Sequence, residues 1–290
     1  MSTKMKMNRL SSNRYHRDKC IIINDLKRGF FSNRYRYIIA ITVLLLVIIV
    51  MGNNEFGFLD TIFFLQAGYG TILSVKEGKI VFPVVWIMMQ FLVPFLVYDY
   101  CNDDIENIGV DFLIKCEDRA LWWRSKCIWN ILTTVSMYAI VYIMAFLYGM
   151  YNGKSEWTIN YELFNTISNK PLPYNNDSIN IIIYLITVPI LVSICLALIQ
   201  MTLSMYTSPM IGIIVVMAWD VISVFVNITP MIGNVSMVVR SSVYSPGGLP
   251  VWIGIIYSVG LYIVTYIVGK EMFKRKDILQ REGELKFILR

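Results

Sequence analysis

Residues 118–148 read DRALWWRSKCIWNILTTVSMYAIVYIMAFLY. The first nine mix charges with two adjacent tryptophans, and the next 22, Cys127 to Tyr148, carry no charge. At 1.5 Å per residue, a helix of roughly 20 apolar residues crosses about 30 Å of hydrocarbon. Lipid offers the backbone no hydrogen-bond partner, so such a segment satisfies its peptide groups only by coiling into an α-helix. The stretch reads as a transmembrane helix with a charged, aromatic collar at one end.

Five further runs of the same kind lie outward from it, near 37–52, 80–97, 179–201, 209–226 and 251–269. The 290-residue chain is 56% hydrophobic and only 16% charged, with a mean hydropathy of +0.57, too apolar for a soluble globule of this size. The expected fold is an all-α membrane protein of six transmembrane helices. Its parts are a disordered arm over 1–20, one transmembrane domain over 21–269 and a basic tail over 270–290. The first apolar run begins only near Tyr37, behind a polar segment, a pattern unlike a cleavable signal peptide. Phe56 to Leu73, FGFLDTIFFLQAGYGTIL, is nearly long enough to be a seventh span, but it holds Asp60, Gln66 and glycines. It is expected to lie at the outer interface or to enter the membrane only part-way.

The cations set the orientation. Of 26 Lys and Arg, ten lie in residues 1–36, seven in 270–290 and four between spans two and three. The loops on the other side share five: Lys76, Lys79, Lys154, Lys170 and Arg240. The positive-inside rule then places both termini in the cytoplasm, which an even number of spans allows. At the membrane edge this basic excess is matched by lipid, and no nucleic-acid partner is expected. Cys20, Cys101, Cys116, Cys127 and Cys195 fall in cytoplasmic or intramembrane positions, where an extracellular disulfide framework does not form.

Several chemistries lack their residues. The single histidine, His16, removes most metal and His-dependent nucleophilic sites, and neither a G-x-x-x-x-G-K-[ST] phosphate loop nor a G-x-G-x-x-G fingerprint occurs. An enzyme is not expected, nor a bound cofactor or metal. Energy for uphill transport would come from an ion gradient or another chain. Asp220, in IIVVMAWDVISVF, is the one charge inside a span, at a cost of about 2.5–3.5 kcal/mol near the centre. Counting 1.5 Å per residue puts it roughly 18 Å from the cytoplasmic edge and Gln90 roughly 15 Å from the outer edge, at similar depth. The two read either as lining a pathway or as joining helices by hydrogen bonds. Pro83, Pro94 and Pro189 are expected to free carbonyls and bend their spans.

On the cytoplasmic side, IIINDLKRGFFSNRYRY, residues 21–37, places Ile22, Leu26, Phe30 and Phe31 on one helical side and Lys27, Arg28, Arg34 and Arg36 near head groups. This pattern fits a helix lying in the interface before span one, with an unstructured basic anchor as the alternative. The 99–126 loop differs: Asp99, Asp103, Asp104, Glu106, Asp111, Glu117 and Asp118 outnumber its four cations. Such a segment suits a protein partner better than anionic lipid. Phe112, Cys116, Ala120, Trp123 and Cys127 recur at helical spacing, predicting a short amphipathic helix that turns before span three.

Six spans with both ends inside, an interfacial helix before the first and an amphipathic cytoplasmic helix between spans two and three resemble the permease subunits of type-2 ATP-binding-cassette exporters. The short turn MYTSPMIG, residues 205–212, and FKRKDIL, residues 273–279, fit the same pattern. The resemblance covers nearly the whole chain and is architectural. It implies pairing with a second permease chain, identical or related, and docking of a cytoplasmic ATPase subunit on a coupling helix at about Asp111 to Leu121. Asp111, Lys115, Glu117, Asp118 and Arg119 would make that contact. It also implies short outer helices between the last two spans, in 226–250. The long polar loop 149–178 departs from a minimal permease.

An exporter subunit of a bacterial cell membrane, moving an amphipathic peptide such as a bacteriocin, a drug or a lipid, is the leading expectation. A six-span ion-coupled carrier, channel or immunity protein using Asp220 without an ATPase is the alternative. The tryptophans of the opening stretch are read apart from its charges. Helical neighbours stand about 100° apart, so Trp122 and Trp123 cannot share a face. With Trp129 they predict an aromatic belt at the inner surface of the bilayer, while Arg124 and Lys126 snorkel to head groups.

Overall fold

The computed structural model describes residues 18–50, 56–68, 83–105, 119–154, 157, 178–226, 231–244 and 247–276. Every element among them is helical. In chain order they are α1 (Asp18–Ser32), α2 (Arg34–Val50), α3 (Phe58–Gln66), α4 (Val84–Val97), α5 (Tyr100–Asp103), α6 (Arg119–Tyr151), α7 (Ser178–Ser204), α8 (Pro209–Phe225), α9 (Ile232–Ser236), a 3-10 turn (Val238–Arg240) and α10 (Val251–Arg275).

Four helical segments are long and apolar enough to cross a membrane: Val84–Asp103, Arg119–Tyr151, Ile181–Ser204 and Val251–Arg275. The pair α1 and α2, bent by 54° at Asn33, makes a fifth if taken as one broken span. The chain is therefore an all-α protein built to sit in a bilayer. Both α2 and α8 have 17 residues, which at 1.5 Å each gives about 25 Å, a little short of the hydrocarbon thickness.

Helix α7 is apolar on all sides, the pattern of a helix enclosed by others. It packs against α4, α6, α8 and α10 at the centre of the bundle. By contrast, α10 keeps Trp252, Ile256, Val264 and Ile267 on its outer side, and α8 does the same with Met210, Ile214 and Ile222. Such rows suit contact with lipid tails rather than water.

Local chemistry sets the helix limits. Ser208 accepts a hydrogen bond from the Ile211 N–H at 3.3 Å, and Pro209 takes the first helical position, where its missing N–H costs nothing. Pro189 lies inside α7 and leaves the Leu185 carbonyl without its helical donor. The Tyr142 hydroxyl, from α6, donates to the Leu185 and Ile186 carbonyls at 3.3 and 3.1 Å. The interruption is thus compensated by a neighbouring helix. Pro94 lies inside α4 as expected, whereas Pro83 is the residue before its first turn and interrupts nothing.

Segment 56–68 is not spread on a surface. Nearly all of α3 is buried, packed against α4, α6 and α7. The Asp60 carboxylate accepts from the Gly57 N–H at 3.0 Å, and the Phe58 N–H donates to the Lys154 carbonyl at 3.3 Å, tying the start of α3 to the end of α6. The segment is a short helix enclosed by three others rather than a seventh long apolar helix. The opening stretch also differs from expectation. Residues 119–126 do not turn away from span three but continue it as one 33-residue helix. Its length, about 50 Å at 1.5 Å per residue, exceeds the hydrocarbon thickness by several turns.

Candidate functional site

The extra turns of α6 carry a buried polar cluster. Lys126 is fully buried, and its Nζ lies 2.6 Å from Asp25 Oδ1 on α1 and 2.9 Å from Asp104 Oδ2 just beyond α5. Asp25 also accepts from the hydroxyls of Tyr100, at 2.7 Å, and Ser125, at 2.6 Å. Asp104 accepts from Trp122 Nε1 at 2.9 Å and pairs with Arg28. Two carboxylates thus face two cations, the balance that a low-dielectric site requires. The Lys126 ammonium also sits 4.0 Å from the Tyr100 ring centroid, a cation–π contact. Burial works against the charged form of Asp25, but the adjacent Lys126 charge and the hydrogen bonds from Lys126, Ser125 and Tyr100 outweigh it and hold the carboxyl below the usual aspartate range.

This geometry corrects the placement expected for the collar. Lys126 does not snorkel to head groups, because two buried carboxylates draw it inward. The three indoles are buried in protein. Trp122 stacks on Phe273 of α10, with centroids 4.3 Å apart and planes 16° from parallel. Trp123 donates to the Tyr266 carbonyl at 3.0 Å and lies against Gly269. On another face of α6, Trp129 packs on Tyr100, centroids 4.1 Å apart, and on Gly29 of α1. Neighbouring tryptophans do point different ways, as helix geometry demands, but protein covers both directions. Of Trp122, Trp123, Arg124, Lys126 and Trp129, Arg124 alone is exposed.

Of the five residues expected at a coupling helix, Asp111, Lys115, Glu117 and Asp118 lie outside the described residues. Arg119 is described and exposed, and one guanidinium nitrogen donates to the Lys274 and Lys276 carbonyls at 2.9 and 2.7 Å. A cation at the last carbonyls of α10 is favoured by the helix dipole. Asp99 and Asp104, read as part of an acidic surface for a partner, turn instead to the chain's own Arg36, at 2.5 Å, and Arg28.

A second polar group lies within the bundle. Asp220, on α8, is fully buried, and neither carboxyl oxygen has a hydrogen-bond partner. Gln90, on α4, donates through Nε2 to Ser236 Oγ at 3.2 Å, and Ser236 donates to the Gly233 carbonyl at 2.9 Å. A Cβ built at Gly233 would stand 3.2 Å from Asp220 Oδ1. The two residues expected at one depth are thus joined through α9 rather than by direct contact. Arg240, expected in an outer loop, is buried and donates to the carbonyls of Ser223 and Val224, each at 2.6 Å, at the C-terminal end of α8.

Sequence reasoning missed Asp25, Tyr100 and the inward turn of Lys126. One signal was available: Asp25 sits on the same helical side as Ile22 and Leu26, where an acid facing lipid would be unsustainable without a cation. Compared with protein-family models, curated proteins and solved structures, the chain matches none of them.

Proposed function

We propose that this chain is the membrane-spanning subunit of an ATP-driven exporter, crossing a bacterial cell membrane six times through α2, α4, α6, α7, α8 and α10 with both termini inside. It pairs with a second permease chain, and a separate cytoplasmic ATPase docks at about Asp111 to Leu121, through Asp111, Lys115, Glu117, Asp118 and Arg119. An amphipathic substrate, a peptide first and a drug or lipid next, passes outward between the two permease chains.

The observation that carries this reading is at the base of that segment. The Asp104 carboxylate and the Trp122 indole are joined at 2.9 Å, so the two described ends that flank residues 106–118 meet at one point. Lys126, Asp25 and Arg28 clamp that point to α1, and Phe273 and Arg119 clamp it to the end of α10. A partner pushing on residues 106–118 would therefore act on α1, α6 and α10 at once. The acids and bases Asp111, Lys115, Glu117 and Asp118 lie in that stretch.

The test is purification of the tagged chain from the membranes in which it is natively made. An ATPase subunit should follow it and be lost when Glu117, Asp118 and Arg119 are changed to alanine. Absence of any ATPase in the purified complex would sink the proposal.

A further inference from the structure

Among the described residues, Asp220 is a carboxyl with nothing to balance it. Both oxygens are sealed from solvent and accept no hydrogen bond. The elements packed on α8 are α4, α7 and α9. Helices α4 and α9 bring no titratable side chain. On α7, the Tyr184 hydroxyl is committed to the carbonyls of Val235 and Met237, and Cys195 donates to the Ser258 carbonyl. Tyr138 of α6 shares a hydrogen bond of 2.8 Å with Ser193. Arg240 spends its guanidinium on the carbonyls of Ser223 and Val224 and on Asn234. Among the described residues, no counter-charge reaches Asp220.

On the side of α9 the carboxyl is closely covered. The backbone of α9 lies against the carboxyl at Gly233, where a methyl group would meet Ser223 Oγ at 2.7 Å and Asp220 Oδ1 at 3.2 Å. A proton is the one cation that neutralises a carboxylate without occupying space. We propose that Asp220 is a proton-binding site closed over by α9, and that α9 leaves its seat when the proton leaves.

The coupling is physical. One proton from water converts the carboxylate to the acid, and its return to water restores a charge beside Gly233, which has no side chain to solvate it and whose carbonyl already accepts from Ser236. Water then has to enter where Gly233 sits. The displacement passes to α4, because Ser236 of α9 is held by Gln90. This adds a proton-dependent step that the exporter reading does not contain, and it stands or falls separately from ATPase association.

The test is infrared difference spectroscopy across a pH series on the full chain in ether-lipid nanodiscs, which lack ester carbonyls. Amide hydrogen exchange of residues 231–237 is measured on the same samples. The wild-type protein should show an acid C=O band that is lost on alkalinisation, with exchange over α9 rising beyond its intrinsic pH dependence as the band goes. In Asp220→Asn the band should be absent and exchange over α9 should follow the intrinsic dependence alone. In Asp220→Glu the band should return at a shifted position. Absence of an acid band in the wild type would overturn the proposal, as would a band that survives in Asp220→Asn or never titrates. A band that titrates while α9 exchange stays flat would overturn the link to α9. Failure of Asp220→Asn to fold would also count against it, since asparagine matches the neutral acid in shape, and Asp220→Glu then carries the spectroscopic comparison.

Discussion

At the residue scale, Lys126 decides how the inner end of the bundle is held. An ammonium buried between Asp25 and Asp104 is strongly destabilising to remove, because two carboxylates lose their partner. Breaking a buried ion pair from one side costs about 3–5 kcal/mol. Lys126→Met should therefore lower thermal stability in detergent by that order. The double change Lys126→Met with Asp25→Leu should recover part of the loss, since it removes the pair rather than half of it. Asp25 also gives a pH signature. Its folded-state value lies below the ordinary aspartate value of about 3.9, so its contribution is complete above that value and drains away as pH falls through the folded-state value. The unfolding midpoint should be flat above about pH 5 and drop below about pH 4. Asp25→Asn should start lower and lose this acid-side drop. A drop of equal size in Asp25→Asn would assign the effect to other carboxyls.

At the element scale, two glycines let helices approach across indoles. A Cβ at Gly29 would overlap the Trp129 ring, and one at Gly269 would overlap the Trp123 ring. Gly29→Ala and Gly269→Ala should each cost about 1–3 kcal/mol by overpacking. Gly260→Ala, on the open side of α10 with nothing within 4 Å, should be neutral or stabilising by up to about 1 kcal/mol through helix propensity. Melting curves of the three variants in one detergent distinguish these outcomes, and equal effects at all three would refute the role assigned to the tryptophan contacts. The long helices were legible because an uncharged run of about 20 residues has one stable form in lipid. The break between α1 and α2 falls at Asn33 rather than at the edge of the apolar run near Tyr37, and α1 is held to the bundle through Asp25, Arg28 and Gly29. The uninterrupted α6 was not legible for a similar reason: a charged collar reads as a boundary until its cation is found paired inside.

At the scale of the whole molecule, orientation can be checked with a native thiol. Cys20 is exposed at the start of α1, while Cys101, Cys127 and Cys195 are buried. With Cys116 changed to serine, a membrane-impermeant maleimide should label Cys20 in inside-out vesicles and not in intact cells. The reverse pattern would invert the proposed topology. The sequence by itself determined the solvent and the secondary structure: too few polar groups for water, and no backbone partner in lipid except the helix itself. It also marked Asp220 as costly where it stands and set Gln90 at a similar depth. What only the tertiary structure decided is which polar groups meet. Asp25 and Lys126 are 101 residues apart, and Gln90 reaches Ser236 across 146. Periodicity records which side of a helix a residue occupies, but not which helix covers that side. That depends on packing among elements distant in sequence, and it is this packing that turned a lysine expected at the head groups into the centre of a buried clamp and left Asp220 alone beneath α9.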